Sequence, residues 1–75
     1  MTLRDLIKNE QAKINEIASI DQKVLQRLRE LGIYEGSSIT CIRKTPFGGP
    51  SIYQTSDSVF SLESSLAVSV KVTKS

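Results

Sequence analysis

Leu31-Gly32-Ile33-Tyr34-Glu35-Gly36 and, ten residues on, Pro46-Phe47-Gly48-Gly49-Pro50 decide how this chain folds. Before the first stretch the apolar residues keep a helical spacing: Val24, Leu25, Leu28 and Leu31 fall at i, i+1, i+4 and i+7, with Lys23, Arg27 and Glu30 on the opposite side. The spacing predicts a helix over Asp21 to Leu31, capped either by Ser19 with Gln22 as a capping box or by Asp21 directly. Gly32 follows the last periodic residue. There a left-handed backbone carries no Cβ penalty, and Ile33 can fold back on the helix end in the manner of a Schellman contact.

After that stop the pattern changes to alternation. Ser37 to Lys44 places Ile39 and Cys41 on one face of a strand. The two prolines stiffen the ends of the next loop while Gly48 and Gly49 permit positive φ in its middle. Ile52 to Thr55 reads as a strand, Ser56-Asp57-Ser58 as a polar turn, and Val59 to Leu62 as a return strand. A helical turn over Ser64 to Ala67 precedes the clean alternation of Val68, Val70 and Val72. Upstream, Leu3 to Ile7 suits one helical turn capped by Thr2, and Ala12 to Ile17 suits a first strand. Because Ile14 and Ile17 are three apart, a β-bulge is needed to aim both inward. The sum is mainly β with one or two short helices. Strands this short and frequent favour a small barrel of about five strands, in which closure removes exposed edges.

Seventy-five residues make one domain, spanning 1–75, that buries only a little over ~60% of its unfolded surface. One cysteine, Cys41, allows no internal disulfide and fits a reducing compartment. The opening residues carry charges at once and no long apolar run, so neither a signal peptide nor a membrane span is expected, and the expected location is cytoplasmic. Ten basic and eight acidic side chains leave a net charge of +2, too balanced for a nucleic-acid footprint. Arg43, Lys44, Lys71 and Lys74 supply the excess as dispersed cations.

Catalytic chemistry has little to work with. The chain contains no histidine, so the usual proton shuttle and the commonest transition-metal ligand are missing. Cys41 has no imidazole to activate it and suits a small core position. Gly48-Gly49 lacks the lysine and following helix of a phosphate-binding loop. Glu35, Asp57 and Glu63 are scattered; one could touch a divalent ion, but a metal site needs several convergent ligands. No catalytic residue, resident metal or cofactor is expected.

These stretches together carry a resemblance. Thr2-Leu3-x-x-Leu6, Ala12-x-Ile14-x-x-Ile17, Arg27-Leu28-x-x-Leu31-Gly32-Ile33-x-x-Gly36, Pro46-Phe47-Gly48-Gly49-Pro50, Leu62 and the Ala67-Val68-x-Val70-x-Val72 ending resemble the FeoA family, small accessory proteins of bacterial ferrous iron transport. The resemblance implies an SH3-like barrel, a non-enzymatic role in iron homeostasis, and protein–protein contact with the membrane GTPase and iron permease FeoB. The membrane would be reached only through that partner. The same module occurs as the carboxyl-terminal domain of iron-dependent repressors, whose DNA-binding helices this chain lacks. Two positions depart from the family: Lys8-Asn9 stands where Pro-Gly is common, and Glu63 stands where an arginine usually follows Leu62.

SH3-like barrels recognise partners through aromatic-lined grooves beside their loops. The candidates for partner contact are therefore Tyr34, Phe47 and Tyr53, the adjoining Gly48 and Gly49, and Arg27 on the outer helix face. The competing class is a nucleic-acid-binding or transcription-regulatory small barrel, which needs a basic surface with stacking aromatics.

Overall fold

The computed structural model describes residues 1–74; Ser75, included in the predicted domain span, lies outside the described residues. The order of elements follows the sequence pattern closely. A 3-10 turn at Leu3–Asp5 precedes β1 (Gln11–Ile17), α1 (Gln22–Glu30) and β2 (Ser38–Arg43). A second 3-10 turn at Pro46–Gly48 leads to β3 (Ser51–Gln54), β4 (Val59–Leu62), α2 (Ser64–Ala67) and β5 (Val70–Lys74).

The five strands form one antiparallel sheet in the order β4-β3-β2-β1-β5. Two bulges bend it. Ile14 pairs Val72 and Glu16 pairs Lys71, so Asn15 is the extra residue that turns β1 between its inward Ile14 and half-buried Ile17. In β2, Cys41 pairs Tyr53 and Arg43 pairs Ile52, leaving Ile42 as the extra residue. Among the described residues β4 and β5 do not pair, so the edges that a fully hydrogen-bonded barrel would remove persist there. Beyond β5 the chain start adds a partial cover: Thr2 bridges Lys71, and the Val72 amide donates to the Met1 carbonyl at 3.0 Å.

The helix α1 starts where Asp21 caps it directly, its carboxylate accepting from the Lys23 amide at 2.9 Å. It ends in a full Schellman motif. Gly32, at φ +84°, donates to the Arg29 carbonyl at 3.0 Å, and Ile33 donates to the Leu28 carbonyl at 3.0 Å. Of the helix's apolar stripe only Leu28 is fully buried; Val24, Leu25 and Leu31 are half-buried. Leu28 is thus the helix's main anchor, Val24 and Leu31 pack against the core beside it, and the flank bearing Leu25 stays open.

The core joins Leu3 and Leu6 of the opening segment to Ile14, Ile39, Cys41 and Val70 of the sheet. The ends of β1 to β4 lie within one residue of the sequence pattern, but one residue changes element. Val68, predicted in the last strand, closes α2 instead, donating to the Ser64 carbonyl at 3.1 Å, and is 41% exposed. The alternation Val68-Val70-Val72 is real, but the helical turn's orphan carbonyls claim the first residue. No helix is long and apolar enough to cross a membrane among the described residues.

Candidate partner-binding site

The six candidates for partner contact fall in four places. Tyr53 belongs to the core. It is 1% exposed, its hydroxyl donates to the Leu3 carbonyl at 3.3 Å, and its ring lies 6.3 Å from that of Phe60. A partner could reach it only by opening the sheet, so it is withdrawn as a contact. The alternation of β3 places Tyr53 inward with Ser51, a parity that the four-residue strand made hard to orient in advance.

Tyr34 lies before the start of β2, on the Schellman exit of α1, and is exposed. A turn closed by the Ser37 amide on the Tyr34 carbonyl (3.2 Å) puts Gly36 at its third position with φ +87°. Gly36 and Ser37 then both oppose Ile14 in a bulge, Gly36 donating to its carbonyl at 2.7 Å and Ser37 accepting from its amide at 2.8 Å. The Tyr34 hydroxyl donates to the Arg29 carbonyl at 3.3 Å. With Ile17, Ser19, Leu25, Arg29, Ile33 and Glu35 it lines a cleft of about 500 Å³ along the open flank of α1.

Beside this cleft stands a residue the sequence did not single out. Ile20 is 98% exposed, although it directly precedes the Asp21 cap, the place from which an apolar side chain commonly packs on the fourth helical residue, here Leu25. That signal was present in Ser19-Ile20-Asp21. The structure leaves the staple open, so Ile20 stands in water and Leu25 is only half-buried, an apolar surface awaiting cover. Arg27 is exposed on the outer side of α1 and does not line the cleft.

Phe47, Gly48 and Gly49 lie beyond the other end of β2. Positive φ begins one residue earlier than predicted, at Phe47 itself (φ 62°, ψ 31°), and continues at Gly48 (φ 75°). A bulky residue in the left-handed region costs about 1–2 kcal/mol, yet the Phe47 ring is fully exposed, so no packing offsets that cost. The loop is braced around it. The Thr45 hydroxyl donates to the Pro50 carbonyl, and the Ser64 hydroxyl donates to the Gly48 carbonyl at 3.3 Å. Tyr34 and Phe47, on opposite ends of β2, do not share one groove.

The Cys41 thiol is fully buried, and burial raises its pKa above the usual value, opposite to what an activated nucleophile needs. Among the described residues no three of His, Cys, Asp and Glu converge to hold a metal ion.

Comparisons with known proteins agree with this geometry. The family described as FeoA domain matches residues 1–74. A Stenotrophomonas maltophilia protein, solved with zinc and described as a prokaryotic SH3 domain protein put forward as a bacterial ferrous iron transport activating factor, is 30% identical. It superposes with a TM-score of 0.83 over 97% of this chain and 89% of its own. An iron uptake regulatory protein, FeoA, is 24% identical with a TM-score of 0.88 over 99% of both chains. A manganese-dependent transcriptional repressor has the same fold in part of its length: TM-score 0.91 at 18% identity, over 99% of this chain but 41% of that one. No curated protein matches the sequence.

Proposed function

The chain belongs to the FeoA family, matched over residues 1–74, and from that premise we propose that it is a non-enzymatic, cytosolic accessory factor of ferrous iron transport that acts by docking on a membrane GTPase and iron permease of the FeoB type. The observation that carries this reading is the uncovered flank of α1. A cleft of about 500 Å³ with an exposed Tyr34 on its wall offers an apolar partner side chain a concave seat, and Ile20 stands exposed one residue after Ser19 of its lining. Arg29 and Glu35 at its edge supply polar pairs that set orientation. Tyrosine at such a position is a frequent centre of binding energy.

Any GTP hydrolysis or ion movement belongs to the partner. Among the described residues no three of His, Cys, Asp and Glu converge on a metal, and the proposed docking is built from side chains alone. The repressor likeness is a likeness of fold, and the near-balanced charge favours protein over nucleic acid as partner.

Titration of the purified chain against the FeoB-type transporter in nanodiscs, by calorimetry with and without GTP, tests the reading. Saturable binding is expected, weakened roughly thirtyfold by Tyr34→Ala or Ile20→Asp, the loss typical of a hot-spot residue. Absence of binding in every nucleotide state, or equal binding by both variants, overturns it. Salt-steep binding to mixed oligonucleotides would instead favour the nucleic-acid class.

A further inference from the structure

At the end of the molecule opposite the Tyr34 cleft, the fold gathers residues that are far apart in sequence. The ladder between β1 and β2 continues beyond the strands: the Asn9 amide donates to the Cys41 carbonyl at 2.7 Å and the Cys41 amide to the Glu10 carbonyl at 2.9 Å. This sets a tight turn, Ile7 to Glu10, beside the end of β2. The turn is closed by the Glu10 amide on the Ile7 carbonyl at 3.0 Å, with Asn9 at φ 71°. Its tip is Lys8 and Asn9, and Ile7 opens it; all three are exposed. Next to it, the Lys44 ammonium donates to the Arg4 carbonyl and so ties the opening 3-10 turn to the base of the proline loop.

One end of the molecule therefore carries Arg4, Lys8, Arg43 and Lys44, all exposed, around two apolar projections, Ile7 at 60% exposure and Phe47 at 104%. The neighbouring carboxylates are engaged. Asp5 accepts from the Thr2 amide at 2.8 Å, and Glu10 accepts from the Ile7 amide at 2.8 Å and pairs with Lys74. Glu63, at the start of α2, is the one acidic group near the loop without a partner among the described bonds.

We propose that this end is a lipid-contacting face: Phe47, with Ile7 projecting from the same end, inserts at the headgroup boundary of an anionic bilayer while Arg4, Lys8, Arg43 and Lys44 engage lipid phosphates. The face is convex at Phe47. A ring standing wholly in solvent on a braced loop needs a receiving pocket in a protein partner, whereas a bilayer surface receives it without one. Ring and cations together form the pairing that interfacial binding uses. A cleft of about 390 Å³ lined by Arg43, Lys44, Thr45, Pro46, Pro50 and Ile52 adjoins the loop and offers a headgroup two cations at its wall. The inference goes beyond the docking reading, in which the membrane is reached only through a partner, and does not rest on it.

Each cation near an anionic surface contributes about fivefold to partitioning, and the whole should reach the marginal, reversible class of a single acyl chain, roughly 10⁴ M⁻¹. Flotation with protein-free vesicles at millimolar lipid reads this directly. With phosphatidylcholine containing about one-third phosphatidylglycerol, in roughly 0.1 M salt, the chain should float; with phosphatidylcholine alone, or in about 1 M salt where screening is nearly complete, it should not. The double variant Lys8→Gln, Arg43→Gln should lose about 25-fold. Phe47→Gly, which suits the local backbone and keeps the fold, should lose binding to the anionic vesicles while its circular dichroism stays that of the native chain. No flotation with anionic vesicles, equal flotation with neutral ones, or undiminished binding by folded Phe47→Gly overturns the proposal. Phe47-dependent capture by an acidic peptide without vesicle binding also overturns it, in favour of an acidic protein surface. Because the vesicles hold no transporter, neither failure implies the other.

Discussion

Two residues show opposite uses of the left-handed backbone. Gly32 at φ +84° ends α1 without strain, and a Cβ placed there would sit 3.7 Å from the Thr55 hydroxyl, an ordinary contact. Gly32→Ala is therefore expected to destabilise by strain alone, about 1 kcal/mol after the unfolded-state entropy of glycine is credited; urea denaturation at unchanged slope checks it. Phe47 adopts the same region with a full side chain. Phe47→Gly removes about 1–2 kcal/mol of strain against about 0.5–1 kcal/mol of added unfolded-state entropy. The variant should thus be more stable, with the melting temperature raised by about 2–8 °C for a domain this size. A variant that gains stability while losing an interaction marks a position kept for binding.

At the scale of elements, α1 is the part whose docking depends on least. Leu28 is its one fully buried residue, so Leu28→Ala should cost about 2–5 kcal/mol, whereas Val24→Ala, half-buried, should cost less than about 1.5 kcal/mol. Chemical denaturation separates them, and tyrosine fluorescence reporting on Tyr34 should change for Leu28→Ala before the sheet unfolds. The helix, its glycine stop and the strands were legible in the sequence because each rests on local information: a 3.6 period, a C′ glycine, a period of two. Even the β1 bulge could be read, from the spacing of Ile14 and Ile17. What stayed hidden was long-range. Nothing local says that Tyr53 faces inward to reach Leu3, fifty residues away, or that Lys44 reaches the Arg4 carbonyl and brings the cations of the opening segment to the end that carries Arg43. The candidates for partner contact were chosen by residue type, and type does not report which side of a four-residue strand meets the core.

For the whole molecule, the response to pH follows from which groups the fold holds ionised and which it holds neutral. Asp5 is lowered below its usual 3.8, chiefly by the hydrogen bond from the Thr2 amide. Glu10 is lowered below its usual 4.5, first by the hydrogen bond from Lys74 and next by the Ile7 amide. A carboxylate with a depressed folded-state pKa contributes stability that is present above the unfolded value and fades as pH falls through the folded one. Asp5 holds the opening turn to Thr2 and Glu10 ties the chain start to Lys74 of β5, so acid should loosen that end first, below about pH 4.5, and Glu10→Gln should flatten the acid limb. At the other extreme Cys41 and Tyr53 are raised above their usual 9.0 and 10.0, in both cases mainly by burial. Acids held neutral contribute stability that is complete below the unfolded value and is lost as pH rises through the folded one. Stability should therefore be level between the two limbs and fall above about pH 9. Tyr53→Phe sacrifices the hydroxyl's bond to Leu3, about 1 kcal/mol at neutral pH, but removes one of the two alkaline ionisations. Its thermal stability should start lower than that of the native chain and decline less steeply from pH 9 upward. Melting curves for both chains across that range that ran parallel would show that Tyr53 ionises as freely in the folded sheet as in the open chain.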